Sequence, residues 1–554
     1  MKNLLMFLEE KTNALGNNTA LGMRSNIGWT ELTYKGVGLL ARRMGAYLIQ
    51  NGIEKGDKVS ILSQSMPEWT AAFFSIVIAG GTVVPLDIKL TEYELSSILS
   101  DCKPKILMVS CQYLETGIRM KELIPSIEKI VLIDDRGANK NFDSLYTISD
   151  GTNVKWRHRS PNKTAIIIYT SGTTGTPKGV EITYKNMLTQ VASISQCFPL
   201  TSNDRLLSIL PMNHLFELTV GYLTFLNLGT TIYYSKSLKP NDLFEIILAK
   251  KITFMIVVPA FLKMLKMSLE TKISKYSPFH KAFYNFRFGL AKLIPFMCIR
   301  RMLFRGLQRS MGGKFKGFLS GGAPLDIETA KFFNTIGIEV FEGYGLSEAS
   351  PVVSFNRKGA NKLGSVGRPI PGVQARVDKE TGELQVMGPN IMKGYHNRPD
   401  LTNDVFTEDG WLKTGDIAII DDDGFIHITG RIKNMIVLSG GKKVFPEEVE
   451  AVMELSDKFL EVCVFGAKRS GGQKDGSEDV VLIVVPKEEI LYQYQNDEEL
   501  NQAMLKEVKE LSKRLSNFKR PAFVHVSKEP LPRTATRKVK RKEVAKLYDE
   551  LKNN

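Results

Sequence analysis

The sequence predicts an α/β protein with a large N-terminal domain of doubly wound α/β subdomains plus a small β-rich subdomain, followed by a small, mobile α+β C-terminal domain. Short apolar runs typical of buried strands alternate with amphipathic helical segments over residues 32–319. From about residue 363 the pattern changes to short strands separated by glycine turns, and a compact α+β unit follows Arg431. A chain of 554 residues is also too long for a single hydrophobic core.

The predicted domain division follows these changes of pattern. The N-terminal domain covers residues 1–430, including a basic amphipathic insert at 271–317 and the β-rich subdomain at 363–430. The mobile C-terminal domain covers residues 431–554.

The individual elements are predicted from apolar period and from flanking turn residues. Strands are predicted at Lys58–Leu62, Thr82–Leu86, Pro104–Val109, Lys129–Ile133, Thr164–Tyr169, Leu206–Pro211, Thr230–Tyr234, Phe254–Val258, Phe315–Leu319, Gly372–Val377, Gly382–Val386, Gly424–Ile428, 461–467 and 479–485. Helices are predicted at Leu32–Gln50, Glu68–Ala79, Leu90–Ser100, Pro446–Leu455 and Glu498–Leu515.

Composition excludes several classes of protein. Apolar content of 43% and charged content of 24% are ordinary for a soluble globular chain. The five cysteines are scattered and the six histidines include no HExxH pattern, which argues for a reducing compartment and against a disulfide framework or zinc site. The longest charge-free run, Trp69–Leu86, contains Gly80-Gly81 and Pro85, so no transmembrane helix is predicted.

A loop rich in glycine and hydroxyl residues follows the strand Thr164–Tyr169. The stretch from Thr170 to Gly179 combines glycines, threonines and Lys178. Glycine lets backbone N–H groups approach an anion, and the hydroxyls and the lysine add donors, so this loop is suited to phosphate. It is not the P-loop of nucleotide hydrolases, because Pro177 precedes the lysine. A flexible surface loop remains the alternative interpretation.

Further polar, glycine-rich stretches lie at the ends of predicted strands. They are Ser320–Leu325, Glu342–Glu348, Gly410–Asp416 and Gly430–Lys433. Ligands of open α/β sheets bind beyond the carboxyl ends of the strands, so these stretches are expected to converge. Asp421–Gly424 is interpreted as a hairpin turn, because it lacks the spacing of a calcium loop.

In this order, the stretches resemble the adenylate-forming enzymes, which include acyl-CoA synthetases, luciferases and peptide-synthetase adenylation domains. The resemblance covers residues 28–542, and Asp409–Ile417 and Leu210–Glu217 look most like fatty acyl-CoA ligases. It implies a reaction in two halves: ATP and a carboxylate give acyl-AMP and pyrophosphate, and a thiol then displaces AMP.

The resemblance also implies roles for residues of the N-terminal domain. Lys178 and the loop would hold the β- and γ-phosphates, Tyr344 would stack on adenine, and Glu348, helped by Thr170, would bind Mg²⁺. His214 would lie near the carboxylate and the acyl channel, with a structural histidine as the alternative. The full set implied for ATP or AMP is Thr170, Ser171, Gly172, Thr173, Thr174, Gly175, Lys178, Gly322, Ala323, Gly343, Tyr344, Gly345, Asp416 and Arg431.

Roles are likewise implied near and beyond residue 416. Asp416 would accept hydrogen bonds from the ribose hydroxyls, and Arg431 would hold ribose or phosphate. Lys433 matches the hinge, and Lys538 matches the adenylating lysine, although Arg537 replaces the usual preceding glycine. The loop that lines the coenzyme A tunnel is represented by Gly440, Gly441 and Lys442.

The net charge of +15 is concentrated in one segment. Residues 271–325 contain eleven Lys and Arg and no Asp or Glu, so this segment alone supplies +11. Apolar residues are interleaved with the charges, and residues 282–309 are predicted to be an amphipathic helix broken near Pro295. We expect residues 271–316 to contact an anionic membrane surface; a basic excursion packed on the body and an RNA-binding segment are the alternatives.

The sequence therefore predicts an ATP- and Mg²⁺-dependent ligase that joins a medium- to long-chain fatty acid to coenzyme A. It is expected to be cytoplasmic and peripheral to the inner face of a membrane. No nucleic-acid partner is expected, and a homodimer is left open. One alternative is a ligase that loads a carrier protein, and another is a lipid-binding pseudoenzyme. Acyl chain length is not readable from the sequence.

Overall fold

The computed structural model of the protein describes residues 4–25, 28–148, 156–170, 177–198, 200–438, 442–468, 478–494, 496–533 and 539–553. Its contacts divide the chain into unit 1, residues 1–375 and 386–412, and unit 2, residues 376–385 and 413–554. Residues 413–430 therefore group with the C-terminal part of the chain, whereas the predicted domain boundary falls at 430/431. That boundary stays a prediction, because it concerns motion of the C-terminal domain.

The strands are numbered in chain order. They are β1 Thr19–Ser25, β2 Gly28–Thr33, β3 Lys58–Leu62, β4 Thr82–Leu86, β5 Ile106–Val109, β6 Lys129–Leu132, β7 Thr164–Thr170, β8 Lys178–Thr183, β9 Arg205–Ser208, β10 Thr231–Tyr234, β11 Phe254–Val257, β12 Gly317–Ser320, β13 Glu339–Gly345, β14 Val352–Phe355, β15 Arg368–Pro369, β16 Gln374–Val377, β17 Glu383–Met387, β18 Gly394–Tyr395, β19 Leu412–Ile420, β20 Ile426–Arg431, β21 Ile436–Val437, β22 Lys443–Val444, β23 Phe459–Lys468, β24 Glu478–Pro486 and β25 Phe523–Val526.

The α-helices are numbered in the same way. They are α1 Leu4–Leu15, α2 Tyr34–Gln50, α3 Pro67–Ile78, α4 Glu92–Cys102, α5 Leu114–Leu123, α6 Tyr184–Cys197, α7 Phe225–Asn227, α8 Pro240–Lys250, α9 Pro259–Ser274, α10 Pro278–Leu293, α11 Met297–Leu303, α12 Arg305–Ser310, α13 Ile327–Thr335, α14 Pro399–Asp404, α15 Pro446–Met453, α16 Glu488–Leu491, α17 Asp497–Ser512 and α18 Arg541–Asn553. A π-helix at Phe216–Thr224 precedes α7.

Unit 1 is built on two large sheets. The seven-stranded sheet has the order β18-β8-β7-β4-β3-β5-β6, parallel from β7 to β6 and antiparallel at β8 and β18. The nine-stranded sheet has the order β15-β14-β13-β12-β11-β9-β10-β1-β2 and is parallel from β13 to β1. Strands joined by helices in largely parallel sheets are the doubly wound α/β architecture that the sequence predicts.

The helix α3 shows how the core of unit 1 is formed. All twelve of its residues are buried, as expected for a helix that is apolar on every side. It packs against α2, and a Cβ at Gly45 would lie only 2.5 Å from Cγ2 of Ile78. Glycine at that position therefore permits the close approach of the two helices.

Unit 2 contains smaller sheets. Strands β19 and β20 form an antiparallel hairpin in a four-stranded sheet of order β16-β17-β19-β20. Strands β23, β24 and β25 form a second sheet, which α15, α17 and α18 accompany. The predicted hairpin turn at Asp421–Gly424 is confirmed, and Gly424 has φ of +81° there.

Most predicted elements are present with shifts of one to three residues at their ends. Two of the polar, glycine-rich stretches extend further into strands than expected. Gly343, Tyr344 and Gly345 are the last residues of β13, and Asp416 lies inside β19. Glycine masks strand character in sequence, but here it makes room for neighbours, because a Cβ at Gly343 would lie 2.5 Å from the ring of Phe355.

The basic segment forms helices, as predicted. The expected break near Pro295 separates α10 from α11. One face of α10 packs on the body of unit 1, since the ring of Phe288 lies 5.9 Å from that of Phe332 and the ring of Tyr284 lies 5.8 Å from that of Phe304. Within the part of the chain that the structure describes, no helix has both the length and the apolar character needed to cross a membrane.

Candidate functional site

The predicted phosphate loop is carried by a β-hairpin at the edge of the parallel part of the seven-stranded sheet. Thr170 ends β7 and Lys178 begins β8, and the two residues are paired in register. The hydroxyl of Thr170 lies 3.5 Å from the carbonyl oxygen of Lys178. The other predicted loop residues, Ser171, Gly172, Thr173, Thr174 and Gly175, lie outside the described residues.

Lys178 and Glu348 are brought together through Tyr395. The ammonium nitrogen of Lys178 lies 5.4 Å from the centroid of the Tyr395 ring. The hydroxyl of Tyr395 donates a hydrogen bond of 2.7 Å to Oε1 of Glu348. Burial and the neighbouring Glu348 carboxylate raise the pKa of Tyr395 well above its usual value, so the phenol stays a donor. Cation, ring and carboxylate thus form one chain at the loop.

Tyr395 was missed by the sequence reasoning. It lies in the two-residue strand β18, which pairs with β8 opposite Val180. The hydroxyl of Thr402 accepts its backbone N–H at 2.9 Å, which fixes the strand. A single tyrosine in a turn-rich stretch carries no spacing signal, and its partner Glu348 is 47 residues away.

The residues present fit the Mg²⁺ that the resemblance implies. Among the described residues no cluster of three or more His, Cys, Asp or Glu is arranged around a common point. Mg²⁺ in nucleotide sites is commonly held by one or two carboxylates together with substrate phosphates and waters, so a single carboxylate beside a phosphate loop is a suitable donor set. Glu348 would hold the ion, and Thr170 is at the same hairpin as Lys178.

The strand ends near Glu348 are closely packed. A Cβ at Gly345 would lie 2.0 Å from the carbonyl oxygen of Pro351, and one at Gly321 would lie 3.0 Å from the ring of Phe216. Gly322, with φ of +85°, then turns the chain toward Ala323. The Cβ at Gly321 would also lie 3.4 Å from the carbonyl oxygen of Gly343, so this residue and the end of β13 approach each other, as the strand-end argument predicts.

Glu342 links the same two segments. Its carboxylate oxygen accepts the backbone N–H of Leu325 at 3.1 Å. Burial raises the pKa of Glu342 to about 8.

His214 lies in the turn that leads into the π-helix. Its Nε2 is 3.7 Å from Oδ2 of Asp87, which follows β4. The turn is anchored by Ser65, whose hydroxyl donates to the carbonyl of Leu210 at 3.1 Å and accepts the N–H of Met212 at 3.0 Å. The histidine is thus held at the carboxyl end of a parallel strand, where ligands of such sheets bind.

Glu217, three residues further on, is completely buried. The hydroxyl of Ser208 donates to its Oε1 at 2.6 Å. Burial raises the pKa of Glu217 to about 8, so the group is mainly protonated at neutral pH. A Cβ at Gly221 would lie 2.5 Å from the same Oε1, so glycine one turn later makes room for the carboxyl group.

In unit 2, Asp416 and Arg431 face each other across the β19–β20 hairpin. They are paired in register, and Nε of Arg431 lies 2.5 Å from Oδ1 of Asp416. The Asp416 side chain is 4% exposed and that of Arg431 is 56% exposed. Thr414 supports the strand, because its hydroxyl accepts the N–H of Asp416 at 3.1 Å and donates to the carbonyl of Leu384 at 2.7 Å.

The predicted hinge and coenzyme A residues lie in the next turns of unit 2. Lys433 is in a short 3-10 helix, Ile432–Asn434, that directly follows β20. The ammonium of Lys442 lies 4.8 Å from the ring centroid of Phe518. Gly440 and Gly441 are outside the described residues.

Lys538 also lies outside the described residues, but the chain on both sides of it is anchored. Arg533 and Val539 form an antiparallel bridge, and Arg533 pairs with Glu461 at 3.0 Å. Arg541, which the sequence reasoning missed, pairs with Glu450 at 2.6 Å and donates to the carbonyl of Val464 at 2.7 Å. The described residues on both sides of Lys538 are therefore held on the same scaffold of unit 2.

An open cavity of about 720 Å³ lies elsewhere in unit 1, at α9, α10, α11 and α13. Its lining includes no residue of the predicted site. Cations and carboxylates are both present in its wall, among them Lys292, Arg300, Glu328 and Glu339. The cavity therefore presents no single charge to a ligand.

Comparison with known proteins covers both units. Residues 8–396 match the AMP-binding enzyme family, and residues 433–552 match the AMP-binding enzyme C-terminal domain. The chain is 30% identical over 566 residues to the long-chain-fatty-acid–CoA ligase of Bacillus subtilis strain 168, which covers 95% of this chain and 91% of that protein. It is 29% identical over 459 residues to long-chain-fatty-acid–CoA ligase FadD15 of Mycobacterium bovis, covering 79% and 76%.

Solved structures give the same result for the fold. The ATP-bound RpMatB-BxBclM chimera B1 matches with a TM-score of 0.81 and 25% identity over 99% of both chains. The sequence and structure comparisons together confirm the predicted fold class and the predicted resemblance.

Proposed function

Because this chain belongs to the AMP-binding enzyme family, we propose that it joins a fatty acid to coenzyme A in two steps and converts ATP to AMP and pyrophosphate. Family membership and the CoA ligases among its relatives make the chain an AMP-forming acyl-CoA synthetase. The fatty acid as substrate, and the residue roles below, are our proposal.

The observation that carries the proposal is the chain Lys178–Tyr395–Glu348 at the phosphate loop. In the first step a carboxylate oxygen of the acid attacks the α-phosphorus of ATP, and the bond to the departing pyrophosphate breaks. Negative charge builds on oxygens around the phosphorus, and preorganised donors stabilise it. Lys178 supplies one cation, Tyr395 limits where it can lie, and Glu348 has a carboxylate oxygen available to a metal ion.

Mg²⁺, when bound at Glu348, would neutralise phosphate charge. Lys538 would add a second cation at the α-phosphate from unit 2. Asp416 would accept hydrogen bonds from ribose hydroxyls, and Arg431 would hold ribose or phosphate. An acceptor and a donor that are paired in one hairpin suit this role, because β19 and β20 fix their separation.

In the second step the sulfur of coenzyme A attacks the acyl carbon, the thiol proton is lost, and AMP leaves. The loop containing Gly440, Gly441 and Lys442 would line the thiol's path after the C-terminal domain rotates about Lys433. The division at 430/431 is part of this proposal.

A fatty acid is favoured as substrate because relatives that cover most of the chain are named long-chain-fatty-acid–CoA ligases. Acyl chain length stays open.

We extend the proposal to where the enzyme works. Peripheral contact with the inner, anionic face of a membrane through residues 271–316 would place the ligase where fatty acids partition. A homodimer stays a prediction.

The test is AMP release by the purified enzyme with ATP, coenzyme A and a panel of carboxylic acids. Short, medium and long straight-chain acids are compared with aromatic acids and dicarboxylic acids. We expect kcat/KM for the best straight-chain acid to exceed that for the others by at least about tenfold, because each buried methylene contributes roughly 0.8 kcal/mol.

Preference for an aromatic acid or a dicarboxylic acid would overturn the substrate assignment. Turnover with a carrier protein but not with coenzyme A would identify the carrier-loading alternative. Absence of ATP–pyrophosphate exchange with every acid would revive the lipid-binding pseudoenzyme.

A further inference from the structure

Helix α10 has two apolar faces, and only one of them packs on the protein. The inner face, with Tyr284, Phe288 and Ala291, lies against the body of unit 1. The second face, which we call the outer stripe, is exposed. Its members are Phe279 (78% exposed), Phe283 (53%), Phe286 (68%), Leu290 (39%) and Leu293 (81%).

The spacing of the outer stripe places all five side chains on one side of the helix. Steps of four, three, four and three residues return to the same face of an α-helix. The exposed apolar surface continues past the bend, with Phe296 62% exposed and Met302 71% exposed. A surface helix of a globular protein normally has a single apolar stripe that faces the core, so a second one points to contact with something outside the chain.

Of the eleven cations in residues 271–325, Arg287 lies over the rings of Phe283 and Phe304, and the other ten divide into two groups. Three of them make hydrogen bonds or ion pairs within unit 1. Arg300 donates to the carbonyl of Ile294 at 2.7 Å, Arg301 pairs with Glu339 at 3.3 Å, and Lys316 pairs with Asp204 at 2.6 Å. Seven others are exposed to solvent. They are Lys272, Lys275, Lys281, Lys292, Arg305, Arg309 and Lys314.

We propose that α10 and α11 form a membrane-insertion element, in which the outer stripe enters an anionic lipid bilayer and the exposed cations contact its headgroups. This deepens the location part of the proposed function, but vesicle binding is measured without turnover, so the two can fail separately.

The charge of this surface favours one binding partner over the others. Residues 271–325 contain no carboxylate side chain, so a second copy docking by a two-fold axis would bring two basic surfaces together. A nucleic acid would satisfy the cations but would leave the exposed stripe without apolar contact. An anionic bilayer supplies both an apolar interior and negative headgroups.

The stripe is tested with Phe279→Ser, Phe283→Ser and Phe286→Ser combined. The matched control combines Tyr93→Ser, Leu123→Ser and Leu248→Ser, which are 83%, 59% and 55% exposed elsewhere in unit 1. Partition onto vesicles of phosphatidylglycerol and phosphatidylcholine is measured by co-sedimentation. We expect the stripe variant to partition at least about 100-fold more weakly, at roughly tenfold per aromatic side chain, and the control to behave as wild type.

The cations are tested with Lys281→Glu, Arg305→Glu and Arg309→Glu combined, against Lys35→Glu, Lys121→Glu and Lys239→Glu. Each cation near an anionic surface contributes about fivefold in partition, so the first variant should lose at least about 100-fold. Salt at about 1 M should weaken wild-type binding, because the Debye length falls to about 3 Å.

Insertion itself is tested with Phe286→Trp against Tyr93→Trp, with the four native tryptophans as the shared background. The emission of Phe286→Trp should shift to the blue with anionic vesicles and be quenched by brominated acyl chains, whereas that of Tyr93→Trp should not.

Several outcomes would overturn the inference. One is equal vesicle binding by the stripe variant and wild type; another is an unshifted Phe286→Trp emission. A third outcome is a wild type that fails to bind vesicles but self-associates in sedimentation velocity. If the stripe variant abolished that self-association, the surface would be assigned to a second copy. Binding of RNA at physiological salt, with no affinity for vesicles, would assign it to nucleic acid.

Discussion

The hydroxyl of Tyr395 donates to Oε1 of Glu348 over 2.7 Å, and its ring lies beneath the ammonium of Lys178. One side chain therefore positions both charged groups that we assign to the phosphates and the metal. The hydroxyl and the ring act through different physical interactions, so they are separable by substitution.

Tyr395→Phe should weaken adenylation and leave the position of Lys178 largely intact. The hydrogen bond to a charged group is worth roughly 1.5–3 kcal/mol, so we expect about a 10- to 100-fold fall in ATP–pyrophosphate exchange. Tyr395→Leu also removes the ring and should lose more. ATP–pyrophosphate exchange is measured as a function of Mg²⁺ concentration. The Tyr395→Phe variant should need a higher Mg²⁺ concentration than wild type to reach its half-maximal rate. Unchanged Mg²⁺ dependence in the Phe variant would separate Tyr395 from the metal site.

Lys538→Ala should remove acyl-AMP formation and spare thioester formation from supplied acyl-AMP. A cation at the transferring phosphate acts mainly in the first half-reaction, and loss of one electrostatic stabiliser costs about 10²–10³-fold. The two half-reactions are measured separately, with Arg537→Ala as the neighbouring control. Equal losses in both halves would count against Lys538 as the adenylating residue.

Lys433→Pro should arrest the cycle between the two half-reactions. Proline fixes φ near −65° and disfavours helical backbone at the preceding residue, so the turn after β20 loses its freedom. We expect adenylation to survive and coenzyme A transfer to fall. Lys433→Ala keeps the backbone free and serves as control. If the proline variant completes both halves at wild-type rates, the chain pivots elsewhere.

Glu217→Gln should change how stability depends on pH. The folded-state pKa of Glu217 is raised by burial to about 8, above its ordinary value of 4.5. Folded protein therefore holds a proton that unfolded chain releases, and stability falls as pH rises from about 4.5 through about 8. The Glu217→Gln variant does not lose stability in this way. Between pH 6 and pH 8 its free energy of unfolding should therefore rise by about 1–3 kcal/mol relative to that of wild type.

The measurement is urea unfolding of the full-length protein at several pH values. Glu342→Gln is measured in the same way. It should show a similar pH effect, because burial also raises the pKa of Glu342 to about 8. Parallel pH profiles for wild type and Glu217→Gln would show that Glu217 is ionised in the folded protein.

Gly221→Ala should destabilise the buried turn by overpacking, because the added methyl would lie 2.5 Å from Oε1 of Glu217. Such overpacking typically costs about 1–3 kcal/mol. Glu217→Ala shortens the clashing side chain, so the double variant should be less destabilised than the sum of the single ones. Thermal unfolding of the three variants completes the cycle, and strict additivity would contradict the contact.

Sequence alone predicted those parts of the fold that depend on local pattern. Strands such as β3 and β4 are short apolar runs beside glycine, and the break between α10 and α11 follows from Pro295. Tyr395 was beyond reach, because its role depends on the pairing of β18 with β8 and on a partner distant in sequence. Apolar periodicity indicated that α10 is amphipathic. The contact of its Phe288 with Phe332 of α13 is what shows that the outer stripe is the face exposed to solvent.

The pairing of Asp416 with Arg431 bears on the enzyme between turnovers. A nearly buried carboxylate without a counterion is costly, and the guanidinium removes that cost when no nucleotide is near. In the role that we propose for Asp416, an arriving ribose would meet an acceptor already aimed by β19 and β20. Its binding would exchange one set of donors for another, so the hairpin would need no refolding when AMP departs.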